Sequence, residues 1–214
     1  MAQVTAIIDY GSGNLRSVEK AFERSAREAG FAVRIIVTDD AEVIAGADRI
    51  VLPGVGAFEA CMNGLAARTG VIEALEHAVL VRAQPFLGIC VGMQLLATRG
   101  LEFGEHSGLG WIDGQVEAID GASLGVTSPH MGWNEVKVKS PRPAAMINDG
   151  AAYYFLHGFH FVPENDVHAL AFTHHGQDLV AAIGRDNILG VQFHPEKSQA
   201  AGLGLIAKFL AWQP

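Results

Sequence analysis

A chain of 214 residues, half of them apolar and only 18% charged, can bury a large core and lies outside the low-hydrophobicity, high-charge regime of disorder. Its 15 basic and 23 acidic residues give a net charge of −8, with no run of Lys or Arg able to track a phosphate backbone, which argues against nucleic acid as a partner. Two cysteines make no disulfide framework, and neither a secretory signal nor a membrane span is visible, so one domain over residues 1–214 is expected, working in a reducing cytoplasm.

Taken in chain order, VTAII (residues 4–8) is a short β-branched run of the kind buried inside a parallel sheet. The turn-rich DYGSGN follows. Leu15, Val18, Ala21, Phe22, Ala26 and Ala29 then share one helical face, and Gly30 ends it. VRIIV (33–37) and RIVLPG (49–54) read as strands, the second stopped by Pro-Gly, and a helical stretch over 69–83 leads into PFLGI (85–89). Residues 91–98 read as the next helix. This alternation predicts a parallel sheet covered on both faces. In the second half, GQVEAI (114–119), NEVKVK (134–139), AAYYFLHGFHFVP (151–163), HALAFT (168–173) and LVAAI (179–183) are candidate strands separated by turns, the pattern of antiparallel hairpins. ILGVQF (188–193) gives a last buried strand, and 198–212 a closing helix with Leu203, Ile206, Phe209 and Leu210 inward.

The chemistry centres on GICVG, where a strand ends, Cys90 follows, and small residues stand two positions away on each side. That spacing suits a nucleophile elbow, a strand-to-helix turn too tight for larger neighbours. A sulfur there sits at a helix N-terminus, where free N–H groups and the helix dipole favour thiolate. A small core residue in a glycine-rich strand end fits the pentapeptide equally well. Cys61, in FEACMNG, has no such setting and reads as packing. A nucleophile needs a proton carrier. In GVQFHPEKS, His194 leaves a buried strand just before Pro195, which holds it extended, and Glu196 can orient its ring. Both Cys90 and His194 fall at the carboxyl ends of strands, where reacting groups converge in α/β sheets. LPGVGAF (52–58) offers backbone donors around Gly54 and Gly56 for a developing oxyanion, and Val91 N–H offers another. GSGN lacks the third glycine of a dinucleotide loop, with Arg16 in its place. HGFH (157–160) and His174-His175 lack a carboxylate at ligand spacing, so they read as satisfied or surface histidines and no metal is expected.

Taken in order, PGVGAF, GICVGMQLL and GVQFHPEKSQ resemble the motifs of the class I, or triad, glutamine amidotransferases, and the resemblance spans nearly all of residues 4–210. Within that class, PHMGWNEV (129–136), YYFLHGFHF (153–161) and the Lys-Ser after HPE are similar to the glutaminase subunits of imidazole glycerol phosphate synthase. The resemblance implies a flavodoxin-like, three-layer α/β fold, with a central, mostly parallel sheet and antiparallel strands in the C-terminal half. It also implies hydrolysis of glutamine to glutamate and ammonia, without a cofactor. Cys90 would attack the side-chain amide, His194 would move protons, and Glu196 would orient the imidazole. Gly54, Val55 and Val91 would form the oxyanion hole, and Gly56, Gln94 and Glu102 would hold the glutamine. The implied partner is a (β/α)8-barrel cyclase subunit, forming a heterodimer that receives the ammonia, with Asn14, Trp133, Asn134 and Lys197 at the interface. One position departs from the family: Gly158 stands where a small hydroxyl residue is common, so it is left out of the site. The rival readings are the glutaminase of anthranilate or aminodeoxychorismate synthesis, and a non-catalytic binding module that kept the fold.

Overall fold

The computed structural model describes residues 3–139 and 144–214. Strands β1 (Gln3–Ile8), β2 (Val33–Thr38), β3 (Arg49–Gly54) and β4 (Phe86–Cys90) are linked by α1 (Leu15–Ala29), α2 (Ala41–Gly46), α3 (Phe58–Ala66) and α4 (Val71–Glu76). Beyond Cys90 come α5 (Val91–Gln94), the short strands β5 (Arg99–Gly100) and β6 (His106–Ser107), then β7 (Gly114–Ala118) and α6 (Gly121–Leu124). Strands β8 (His130–Glu135), β9 (Lys137–Val138), β10 (Ala152–His157) and β11 (Phe159–Pro163) follow. The chain closes with β12 (Ala169–His175), β13 (Gln177–Arg185), β14 (Ile188–Val191) and α7 (Gln199–Ala211).

The main sheet runs β2-β1-β3-β4-β14-β13-β12-β9. Its first five strands are parallel, and β13, β12 and β9 are added antiparallel. All of β3 and β4 is buried, which is why, beyond the buried Arg49 that opens β3, both read as apolar runs rather than alternating ones. Helix α1 buries Val18, Ala21, Phe22, Ser25 and Ala26, and Gly30 caps it at φ 74°, the left-handed region glycine enters without strain. In α7, Leu205, Ile206, Phe209 and Leu210 are buried while Leu203 is only half-buried. Two smaller sheets, β10-β8 and β11-β7-β5-β6, complete the order.

Several boundaries differ from the sequence reading. The helix expected over 91–98 stops at Gln94, because the loop at 108–112 takes its last carbonyls: Leu109 N–H donates to Leu95 O and Ile112 N–H to Leu96 O. The run 151–163 is two strands in two sheets, divided at Gly158: β10 pairs with β8, and β11 with β7. The strand expected at 134–139 begins at His130 and breaks at Val136, whose N–H donates to Ala151 O. The stretch at 69–83 is α4 followed by one π-helical segment, His77–Val81. Helices α2 and α3 had not been predicted; Asp40 starts the first by accepting from Glu42 and Val43 N–H. Among the described residues no helix is long and apolar enough to cross a membrane.

The short α5 lies hard against the strands beneath it. A Cβ on Gly92 would fall 1.8 Å from Leu52 O, and one on Gly88 2.6 Å from Gly92 O. Backbone is the obstacle in both cases, so neither site can yield by turning a side chain. Gly92→Ala is therefore expected to cost about 3 kcal/mol or more in equilibrium urea unfolding; a loss under about 1 kcal/mol would show that α5 has room to move.

Candidate active site

Register brings the predicted residues to one edge of the main sheet. Gly54 is the pairing partner of Cys90 across β3 and β4, and on the other flank Val191 pairs with Ile89, so His194 follows the end of β14 beside the cysteine. A cleft of 270 Å³ opens there. Val55, Gly56, Cys90, Val91, Gln94, Glu102, Gly158, His194 and Lys197 all line it. Asn14, Trp133, Asn134 and Gly54 are not part of its wall.

Cys90 caps α5 with φ 55° and ψ −112°, a backbone conformation that non-glycine residues adopt only under strain. Its sulfur is almost wholly buried, near Leu156 O (3.9 Å) and Gln192 Nε2 (3.7 Å). Val91 is the first residue of α5, so its N–H has no acceptor within the helix.

His194 is fixed through its backbone before its ring does anything. Its N–H donates to Tyr154 O (2.8 Å), and its carbonyl accepts from Ser198 Oγ (2.6 Å), which itself accepts from Tyr154 N–H (3.0 Å). Gly202 allows α7 to press on this turn, since a Cβ there would lie 1.9 Å from Pro195 O. The ring's Nδ1 bonds Glu196 Oε1 at 2.9 Å, with both side chains at most 3% exposed, which leaves Nε2 for the thiol. Burial disfavours the imidazolium, but the Cys90 sulfur and the Glu196 carboxylate outweigh it and raise the pKa to about 9.

Glu102 Oε2 accepts Phe58 N–H at 2.7 Å, so the residue expected to hold substrate also caps α3 from a distant loop. Gln94 Nε2 donates to Phe159 O (3.0 Å) and to Gln192 Oε1 (3.1 Å). The segment carrying the expected oxyanion donors is pinned from behind. Tyr10 Oη donates to Pro53 O (2.7 Å), Val55 N–H donates to Ser12 Oγ (3.2 Å), and Ser12 Oγ donates to Val55 O (2.5 Å). Cys61, expected only to pack, is buried and also braces this segment, 3.3 Å from Ser12 Oγ and 3.5 Å from Val55 O.

The family scan matches the glutamine amidotransferase class-I model over residues 6–211. The chain belongs to the class I glutamine amidotransferase family. It is 56% identical over 211 residues to the imidazole glycerol phosphate synthase subunit HisH of Rhodospirillum rubrum, covering 98% of this chain and 99% of that protein. The proteins of the same name from Brucella abortus and Caulobacter vibrioides are each 52% identical over 213 residues, covering 98% and 99% of this chain and 99% and 100% of theirs. Among solved structures, a glutamine amidotransferase superposes with TM-score 0.70 at 18% identity, over 96% of this chain and 97% of that one, and shares its fold.

This amidotransferase contains a histidine network that the sequence reading left unassigned. His157 Nδ1 donates to Phe159 O (2.8 Å), so its Nε2 accepts from His130 Nδ1 (3.0 Å); His130 Nε2 in turn accepts from Asn134 Nδ2 (3.2 Å). His130 is stacked between Phe155 and His175. Burial first, and then the charges of neighbouring histidines, lower the pKa of His157 to about 3 and of His130 to about 4. The pairing His157↔His130 across β10 and β8 creates the network, and only correct strand register could have revealed it.

These shifts set opposite limbs in the pH dependence of stability. His157 and His130 bind protons less readily folded than unfolded, so their contribution is present above about pH 6.5 and is lost as pH falls toward 4 and 3. His194 binds its proton more readily folded, so its contribution is present below about 6.5 and is lost as pH rises through about 9. Urea unfolding across this range is expected to show both limbs, and Cys90→Ala is expected to flatten the alkaline one while leaving the acid one. An unchanged alkaline limb would mean that the sulfur does not hold the His194 proton.

Proposed function

We propose that this chain is the glutaminase subunit of an imidazole glycerol phosphate synthase, acting as one domain in the cytoplasm. It would hydrolyse glutamine and pass the ammonia to a (β/α)8-barrel cyclase that makes imidazole glycerol phosphate and aminoimidazole carboxamide ribotide in histidine biosynthesis. The observation that carries this reading is the convergence of Cys90 and a Glu196-bound His194 in one cleft, in a chain more than half identical to a protein of that name.

Each residue has a chemical task. The Cys90 thiolate attacks the carboxamide carbon of glutamine, and the oxyanion that forms is held by Val91 N–H and by the Gly54-Val55 segment. His194, cationic after taking the thiol proton, gives it to the departing nitrogen, because an amide anion is too basic to leave. Ammonia departs and a thioester remains on Cys90. Neutral His194 then takes a proton from water, the hydroxide oxygen attacks the thioester, and glutamate leaves with the thiolate restored. Acid-base help of this kind is worth ~10²–10⁴ in rate and one oxyanion donor ~10²–10³. Gly56, Gln94 and Glu102 would hold the glutamine.

The paired strands β8 and β10 support the docking assignment: Met131 and Trp133 are exposed, Trp133 packs edge-on to Tyr154, and Lys197 Nζ sits 5.7 Å from the Tyr154 ring centre. Asn14 is exposed at the start of α1, while Asn134 is half-buried in the histidine network. The two unpaired, buried cysteines suit a reducing compartment. With Val55 N–H bonded to Ser12, that donor would not be free for an oxyanion, and partner docking is the event that would free it. Two experiments test this reading. With the cyclase present, Cys90→Ala is expected to lower glutamine-dependent synthesis by at least ~10³-fold while ammonium-dependent synthesis survives; loss of both would make Cys90 structural. Without the cyclase, Ser12→Ala is expected to raise glutaminase turnover several-fold, and equal turnover with and without a liganded cyclase in the unsubstituted protein would sink the idea of control at this segment.

A further inference from the structure

Gln192 is a wholly buried amide just past the end of β14, whose four residues carry no polar side chain, and no catalytic step described so far uses it. Burying a primary amide is costly unless its groups are bonded. Its orientation follows from the neighbours. Phe159 O can only accept, so Gln94 must turn its Nε2 toward that carbonyl. The same Nε2 then meets Gln192, which must answer with Oε1 (3.1 Å), and this turns Gln192 Nε2 onto Cys90 Sγ at 3.7 Å. Flipping either amide would set donor against donor or acceptor against acceptor.

We propose that Gln192 is a catalytic group whose side-chain N–H donates to the Cys90 sulfur and stabilises it as thiolate, both before attack and when it is expelled from the thioester. A neutral thiol needs no such donor, whereas a sulfur anion shut away from water gains from each N–H aimed at it. Gln94 has a second role in this arrangement, as the positioning residue that keeps Gln192 in its donating orientation. The proposal rests on Cys90 being the nucleophile.

The test uses the full chain, with Cys90 alkylation by iodoacetamide followed by peptide mass spectrometry so that Cys61 does not interfere. Gln192→Met, close in length but without the donor, is expected to move the midpoint of the alkylation pH profile up by about one unit. It is also expected to lower kcat for glutamine in the cyclase complex by roughly tenfold, with KM little changed. Cyclase binding reports that the variant is folded. An unmoved alkylation profile would overturn the proposal, and so would a rise in KM alone, which would leave Gln192 merely a brace for Gln94. On the unsubstituted chain, the Gln192 side-chain amide protons are expected to shift downfield in NMR as Cys90 ionises; no shift would overturn the proposal even if the variant failed to fold. Both readouts are independent of turnover, so they stand apart from a failure of the nucleophile assignment, which retained glutaminase activity in Cys90→Ala would reveal.

Discussion

The backbone of Cys90 is the constraint on which the site depends. A non-glycine residue at φ 55°, ψ −112° costs on the order of 1–3 kcal/mol, and the surroundings must over-determine it to hold it there. They do so by contact: α5 crosses β3 and β4 at a distance that only glycine at 88 and 92 permits, and Gly54, whose Cβ would fall 2.6 Å from Tyr10 Oη, admits the tyrosine that ties β3 to the loop after β1. The strain aims the sulfur into the cleft at the head of a helix. Parallel strands β3, β4 and β14 then carry the Gly54-Val55 segment, the Cys90 sulfur and the His194 imidazole to a common edge.

Around that point the protein keeps two kinds of histidine. His194 is buried between the Cys90 sulfur and the Glu196 carboxylate and is held protonated to about pH 9, whereas His157 and His130 are buried with other histidines and no carboxylate beside them and stay uncharged to about 3 and 4. The difference lies in the partners, not in depth of burial. One carbonyl links the two environments. Phe159 O accepts from His157 on one side and from Gln94 on the other, so hydrogen bonds run from Asn134 through the histidines to Gln94, Gln192 and the Cys90 sulfur.

Much of this was legible in the sequence because local rules and global architecture agree. The first strand, α1 with its glycine stop and the buried β3 follow from hydrophobic pattern and chain punctuation, and Cys90, His194 and Glu196 follow from motifs whose spacing is itself local. What the sequence hid is what depends on distant pairing. Helix α3 is capped by Glu102, forty-four residues away, so no local cap announced it. Residues 151–163 look like one strand because Gly158, where the chain passes from one sheet to another, interrupts no apolar pattern. Ser12 and Cys61 brace Val55 only once β1 and β3 lie side by side, and Gln192 gains a purpose only when Gln94 is seen to orient it.

A diazoketone analogue of glutamine, which alkylates the group that attacks the side-chain carbonyl position, tests the central claim most directly. In the complex with the cyclase, peptide mapping is predicted to find a single label on Cys90, appearing in step with the loss of glutamine-dependent synthesis. Labelling of Cys61 or any other residue in step with that loss, with Cys90 unmodified, would contradict it.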